Sequence, residues 1–88
     1  MLLPGDVVDR YGDLSGRFVA PVGTPLEQRS LAPWTEESAY HQYKVLKPLQ
    51  VDSGKTAPWF DRPGGGIQHD LGRSVQDLVD SGHLQPLN

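Results

Sequence analysis

The stretch "AYHQYKVLKPLQV", residues 39–51, decides the fold, because its side chains alternate in character along the chain. Successive side chains of a β-strand point to opposite faces, so a period of two predicts a strand that is packed on one side. One face of this strand would carry Tyr40, Gln42, Lys44 and Leu46, and the other His41, Tyr43 and Val45.

Further extended segments are predicted on both sides of this strand. Residues 5–20, "GDVVDRYGDLSGRFVA", contain two β-prone runs separated by turn residues and predict two short strands joined by a tight turn. Downstream, "DSG" at 52–54 is typical of a turn, and "KTAPWF" at 55–60 resumes extended chain. These two features predict a hairpin with the 39–51 strand. "IQHDL" at 67–71 predicts one more strand.

Two helical segments are expected, both short. The segment 21–34 holds three prolines, so a helix there spans at most a turn or two, with "TPLE" at 24–27 as its capping box. A second helix is predicted over "VQDLVDS", residues 75–81, where the apolar residues fall at helical spacing. Ser74 is its expected N-cap, and Gly82 its expected left-handed C-terminal residue.

The composition favours a small, turn-rich domain. Among 88 residues there are 8 prolines, 10 glycines and no cysteine, so neither a disulfide framework nor a thiolate metal site is available. We therefore predict a single domain over residues 1–88 of the α+β class. Its expected form is a small, mainly antiparallel sheet with a short N-terminal helical segment and one C-terminal helix.

The charge and the apolar pattern exclude several functional classes. A net charge of −3 argues against general nucleic-acid binding, which needs a basic surface. No apolar run is long enough to span a membrane, and residues 1–12, "MLLPGDVVDRYG", lack the features of a signal peptide. The three histidines and the aspartates show no metal-ligand spacing, so no metal site is predicted.

The triple glycine within "PWFDRPGGGIQHDL", residues 58–71, has three possible interpretations. A phosphate-binding loop is disfavoured, because such loops lead into a helix and the commonest kind carries a lysine and a hydroxyl residue. A flexible turn between strands is the plain alternative. In the third interpretation Gly65 and Gly66 let a ligand approach the backbone, and Gln68 is the first polar side chain able to reach it.

Each charged or aromatic candidate also has an ordinary structural explanation. Arg10 follows Asp9, and Arg29 stands two residues from Glu27, so both arginines have the ordinary role of surface ion-pair partners. His41, between two tyrosines, is either a neutral site residue or a structural histidine. Large aromatic side chains are first of all core in so thin a domain, and this expectation covers Trp34, Trp59 and Phe60.

Four blocks of sequence stand out in order: "DRYG…SGRFVAPVGTPLEQRSLAP" at 9–33, "YHQYKVLKPLQV" at 40–51, "APWFDRPGGGIQHDL" at 57–71 and "LVDSGHL" at 78–84. Together they resemble the TNT family of NAD glycohydrolase toxin domains. The resemblance implies a central antiparallel sheet and hydrolysis of NAD or NADP to nicotinamide and ADP-ribose, without a metal or a cofactor. It also implies secretion or delivery into the cytosol of a target cell, and a cognate immunity protein as partner.

The family's NAD site carries over to individual positions. Arg10 belongs to the "DRYG" block, Arg29 to the "RSLAP" block, and Gln68 follows the glycine loop. Phe18 stands where the founding toxin of the family has a tyrosine. The resemblance therefore implies an aromatic ring beside the substrate at this position, without a hydroxyl group. The predicted catalytic residues are Gln68 and Arg29, and the predicted substrate-binding residues are Arg10, Phe18, Arg29, His41, Gly65 and Gly66.

These residue types suit the implied chemistry. Nicotinamide leaves NAD as a neutral molecule, so the proton-donating carboxyl group of most glycosidases is unnecessary. Arginine forks suit the pyrophosphate, and a glutamine suits the ribose hydroxyls or the attacking water. Two alternatives stay open: a non-catalytic NAD-binding module, or a fragment that needs missing chain or a partner; and an ADP-ribosyltransferase. The abrupt start at the first motif fits the C-terminal part of a longer toxin.

Overall fold

Six strands form one antiparallel sheet in this computed structural model, which describes residues 1–29, 31, 35, 39–59 and 62–87. The strands are β1 (Val7–Tyr11), β2 (Phe18–Pro21), β3 (Tyr40–Val45), β4 (Asp52–Lys55), β5 (Ile67–Asp70) and β6 (Leu84–Pro86). They lie in the order β4-β5-β2-β1-β3-β6, and every neighbouring pair is antiparallel. One helix, α1 (Val75–Asp80), precedes β6. The predicted antiparallel sheet with a C-terminal helix is confirmed.

The alternating stretch forms β3, as predicted, and lies inside the sheet. Tyr43 and Val45 are buried, whereas Lys44 between them is exposed. β3 pairs with β1 over five positions on one side and with β6 on the other. The sequence analysis missed β6, a three-residue strand that ends in a proline.

The predicted hairpin between residues 39–51 and 55–60 is wrong. The "DSG" segment is not a turn but the first part of β4, which pairs with β5 and not with β3. Ser53 lies opposite His69, and Gly54 lies opposite Gln68. β4 is an edge strand exposed along its whole length, so turn-forming residue types are compatible with its position.

The C-terminal helix has the predicted caps. The Ser74 hydroxyl oxygen accepts a hydrogen bond from the Asp77 backbone N–H at 3.1 Å, and Gly82 adopts the left-handed φ of +80°. The Gly82 and His83 backbone N–H groups donate to the Val79 and Leu78 carbonyls and close the helix.

The N-terminal helical segment is reduced to a single 3-10 turn, Leu26–Gln28. The expected capping box is wrong, because the Thr24 hydroxyl donates backwards to the Pro21 carbonyl at 2.7 Å and caps nothing. Pro25 has an extended ψ of 145° and stands before the turn, not inside it. Three prolines in 21–34 leave too few backbone N–H groups in place for a longer helix.

The core fills the space between one face of the sheet and α1. Its buried members are Leu2, Val8, Val19, Tyr43, Val45, Leu49, Leu71, Val75, Leu78 and Leu84. The expectation that Trp59 belongs to the core is wrong, since this side chain is 66% exposed in the loop after β4. Trp34 and Phe60 lie outside the described residues.

His69 gives the fold a dependence on pH. Its ring Nδ1 lies 2.7 Å from the Ser53 hydroxyl, and burial lowers the pKa of His69 below its ordinary value of 6.5. As the pH is lowered, the unfolded chain therefore binds a proton at this histidine at a higher pH than the folded chain does. The free energy of unfolding falls as the pH drops below about 6.5.

We expect His69→Gln to lose less stability than the parent when the pH is lowered from about 7.5 to about 5, measured by urea unfolding. Identical pH profiles would contradict this.

Candidate functional site

A cleft lies against the face of the sheet that α1 does not cover. It consists of a small cavity of about 70 Å³ and a larger one of about 380 Å³. The larger one is in the usual size range of ligand pockets. The residues that line both are Phe18, Arg29, Thr56 and Gln68. These four side chains therefore mark the junction at which a ligand would pass from one cavity to the other.

Three neighbouring strands supply the floor of the cleft. Asp9 on β1 pairs with Ala20 on β2, and the register that pairs Val19 with His69 sets Gln68 of β5 beside Ala20. Because side chains alternate between faces, these three residues point to the same side of the sheet. The small methyl group of Ala20 leaves the space between Asp9 and Gln68 that forms the small cavity.

The connection from β2 to the 3-10 turn covers the Asp9 side of this floor; we call residues 22–29 the cover segment. Asp9 is fully buried and Arg29 is only 7% exposed, with 2.7 Å between Asp9 Oδ1 and Arg29 Nη2. Asp9 Oδ2 accepts hydrogen bonds from the Gly23 backbone N–H at 3.2 Å and from the Tyr40 hydroxyl at 2.7 Å. Arg29 Nε donates to the Thr24 carbonyl at 3.0 Å. One carboxylate thus fastens the cover segment to the sheet.

Two tyrosines complete this arrangement. The Arg29 guanidinium lies 5.0 Å from the centre of the Tyr11 ring, a cation–π contact, and the Tyr11 and Tyr40 ring centres are 4.9 Å apart. Burial, and after it the hydrogen bond to Asp9, raise the pKa of Tyr40. Tyr40 therefore keeps its proton at neutral pH and remains a donor to Asp9.

The triple glycine packs against the protein itself. The Gly64 and Gly66 backbone N–H groups donate to the carbonyls of Glu27 and Gln28, each at 3.1 Å, and Gly65 N–H donates to the Thr56 carbonyl at 2.8 Å. The close approach that glycine allows is therefore made to the protein itself, at Thr56 and Ala57 for Gly64 and at the cover segment for Gly66. Among the described lining residues of the cleft, neither Gly65 nor Gly66 occurs, so their direct contact with substrate stays a prediction.

We expect Gly64→Ala to destabilise the fold by about 2 kcal/mol or more, from left-handed strain together with a clash. Gly64 has a φ of +66°, and a Cβ there would lie 2.5 Å from the Thr56 carbonyl oxygen. Gly54→Ala is the matched control, since a Cβ at Gly54 meets nothing within 4 Å. Denaturant unfolding measures both, and equal losses of stability would contradict the prediction.

Two predicted site residues point away from the cleft. Arg10 contributes to the lining of the small cavity, but its guanidinium donates to the Asp13 and Phe18 carbonyls, both at 3.0 Å. The ordinary alternative, an ion pair with Asp9, is wrong, because Asp9 pairs with Arg29. His41 lies opposite Arg10 in the β1–β3 register and so shares the face opposite Asp9. Substrate contacts by Arg10 and His41 stay predictions.

Comparison with known proteins shows the family to which the chain belongs. The sequence profile described as tuberculosis necrotizing toxin, TNT, matches residues 1–87. The chain belongs to the TNT family. It is 38% identical over 91 residues to the conidial surface nicotinamide adenine dinucleotide glycohydrolase of Aspergillus fumigatus, an alignment that covers 96% of this chain and 39% of that relative. The chain therefore spans about two fifths of the length of this curated relative.

A solved TNT structure shares the fold. The tuberculosis necrotizing toxin, in a complex with its immunity factor, superimposes with a TM-score of 0.72 at 30% sequence identity. The match covers 93% of this chain and 48% of the toxin chain. The six-stranded sheet and the C-terminal helix are thus the TNT fold.

Two further observations concern metals and membranes. Within the described part of this TNT domain, no three histidine, aspartate or glutamate side chains come together as metal ligands. The helix found in the same residues is too short and too polar to cross a membrane.

Part of the site was not predicted from the sequence. Phe18, Arg29 and Gln68 meet at the cleft as the TNT motifs suggested, but Asp9, Tyr11 and Tyr40 were not recognised as components. Asp9 carried no distinctive signal, because a charged residue after a valine in a strand is also typical of a solvent-exposed face.

Proposed function

We propose that the chain is an NAD(P) glycohydrolase domain that hydrolyses NAD to nicotinamide and ADP-ribose. The observation that carries the proposal is the position of Gln68 at the junction of the two cavities, together with Phe18 and Arg29. A dinucleotide that crosses this junction has the nicotinamide in one cavity and the remaining nucleotide in the other. The bond to be cleaved then lies beside the Gln68 amide.

The reaction needs few chemical groups from the protein. The C–N bond between the ribose and the nicotinamide ring breaks with its electron pair moving to the ring, so neutral nicotinamide leaves without a proton donor. Water then adds to the electron-deficient ribose carbon and loses a proton. Gln68, with one amide carbonyl and one NH₂ group, can orient the ribose hydroxyls or this water. Orientation alone can account for a large share of such rate enhancements.

The two cavities suit the two ends of the substrate. The small cavity is lined by Ala20, Leu31 and the Phe18 ring, which fit the flat nicotinamide. The larger cavity opens toward Pro58 and the exposed Trp59, which offer surface to the nucleotide. Arg29 borders both, so it lies within reach of either ribose hydroxyls or phosphate.

Nicotinamide release tests the proposal directly. Purified protein is incubated with NAD, and separately with NADP, and nicotinamide and ADP-ribose are quantified by liquid chromatography against a heat-denatured sample. We expect both products to appear in equal amounts. A folded protein, verified by circular dichroism, that releases no nicotinamide above the buffer rate would overturn the proposal.

The same assay separates the alternatives. A non-catalytic binding module would show NAD binding in calorimetry without products. An ADP-ribosyltransferase would release nicotinamide while transferring labelled ADP-ribose to an added protein. Hydrolysis with all the label in free ADP-ribose excludes both.

An immunity protein and a delivered or secreted location belong to the same proposal. Their support is the relatives, because the solved toxin is complexed with its immunity factor and the fungal glycohydrolase is named as a conidial surface protein. Catalytic Gln68 and Arg29 and substrate-binding Arg10, Phe18, His41, Gly65 and Gly66 are likewise proposals. Whether this domain acts alone is decided by the assay above.

A further inference from the structure

We infer that Asp9 cancels the charge of Arg29 so that the cleft accepts the positively charged nicotinamide ring of NAD, an inference that rests on the proposed function. Two roles were expected for Arg29 from the sequence, a fork for the pyrophosphate or an ion-pair partner. The geometry points to a neutral Arg29–Asp9 pair. Such a pair donates hydrogen bonds without repelling a cationic ligand.

The described contacts of the Asp9 carboxylate are two hydrogen-bond donors and one cation. Oδ2 accepts two hydrogen bonds, from Gly23 N–H and the Tyr40 hydroxyl, and Oδ1 lies against the Arg29 guanidinium. Oδ1 accepts no hydrogen bond of good geometry from the described residues, so its compensation there is the charge of Arg29. Within the described part of the chain, the three contacts of the carboxylate are thus with two donors and a cation, and the pair carries no net charge.

The pairing also fixes where Arg29 can act. Its Nε is held by the Thr24 carbonyl, its Nη2 faces Asp9, and its plane lies by the Tyr11 ring. Because Arg29 lines both cavities from this fixed position, it presents a constant surface to the ligand. Arg10, the other arginine of the small cavity, has its guanidinium on the Asp13 and Phe18 carbonyls. Among the described lining residues of the small cavity, Arg29 is therefore the cation that pairs with Asp9.

The net charge matters because the oxidised ligand carries one positive charge on its ring, which the added hydride removes in the reduced form. Two unit charges a few ångströms apart in a partly buried site interact strongly enough to change binding by a factor of about ten or more. An Arg29 without Asp9 would repel the cationic ring of NAD but not the uncharged ring of its reduced form. Asp9 should therefore set the preference between the two redox states.

The test compares carbocyclic NAD⁺ with its reduced form. The carbocycle replaces the oxygen of the nicotinamide ribose by CH₂, so the analogue forms no oxocarbenium ion and is not hydrolysed. Calorimetry gives the ratio of the two affinities for the parent, for Asp9→Asn, for Arg29→Gln and for the double variant. Asp77→Asn is the matched control, an exposed aspartate on α1, across the sheet from the cleft.

Asp9→Asn is expected to shift the ratio about tenfold toward the reduced form. Arg29→Gln should shift it the opposite way, because it leaves Asp9 as an unbalanced anion. The double variant, with neither charge, should return to within about threefold of the parent ratio. Asp77→Asn should leave the ratio unchanged.

A merely structural role for Asp9 has a different signature. Asp9→Asn would then weaken both analogues equally, and this result overturns the inference. If Asp9→Asn fails to fold, Arg29→Gln decides, and an unchanged ratio there also overturns it. A parent protein that binds the analogues but hydrolyses no NAD refutes the proposed function and leaves the ratio test intact. One that binds neither analogue refutes both.

Discussion

Gln68→Ala is expected to lower kcat for NAD hydrolysis by about 10²- to 10³-fold while changing KM by less than about threefold. The amide lies where the two cavities join, so its loss removes orientation at the reacting carbon and leaves both binding cavities in place. An interaction made mainly in the transition state affects kcat and not ground-state binding. Steady-state kinetics with nicotinamide detection gives both constants.

Gln76→Ala is the matched control for this variant. Gln76 is an exposed glutamine on α1 whose amide donates to Asp80 at 2.8 Å, on the far side of the sheet. Its replacement should leave kcat and KM at the parent values. Gln68→Ala with parental kcat would remove Gln68 from the mechanism, and a raised KM at constant kcat would make it a binding residue only.

Arg29→Ala is expected to destabilise the fold by about 3–5 kcal/mol, because it leaves the buried carboxylate of Asp9 without its compensating charge. The loss should be large for a domain of this size, whose total stability is typically about 5–15 kcal/mol. The variant also removes the Nε hydrogen bond to Thr24, which helps to hold the cover segment. Urea unfolding followed by circular dichroism measures the change.

The exposed ion pair of Arg17 and Asp70 provides the comparison. Their atoms are 3.1 Å apart, but the Arg17 side chain is 57% exposed, and pairs of this kind contribute only about 0–1 kcal/mol. Arg17→Ala should therefore change the unfolding free energy by less than about 1 kcal/mol. Similar losses for both variants would show that the burial of Arg29 carries no energetic weight.

The sequence correctly predicted the helix and the strand that depend on residues close together in the chain. The alternation along 39–51 gives β3, and the Ser74 cap with Gly82 bounds α1, because both signals act between near neighbours in the chain. β4 was not predicted, because it depends on pairing with a strand distant in the chain. Its Ser53 and Gly54 are turn formers by local preference, and only pairing with the distant β5 makes them extended.

Only the site residues that the family motifs name could be predicted from the sequence. The resemblance named Gln68, Phe18 and Arg29, all of which line the cleft, but the expected partner of Arg29 was the nearby Glu27, and the observed partner is Asp9. For Arg10, the motif named the residue but not its direction. Its position in β1 sets its side chain on the face opposite Asp9. Burial of Asp9 depends on the cover segment folding back over β1, which no spacing in the sequence reveals.

The hydrogen bonds between the glycine loop and the cover segment affect when the cleft forms during folding. The cleft unites residues from 9 to 68, and the hydrogen bonds from Gly64 and Gly66 to the Glu27 and Gln28 carbonyls help to hold the cover segment over it. Proteins rich in contacts between residues far apart in the chain fold slowly. We therefore expect the cleft to be completed in folding only after the local turns and α1 have formed.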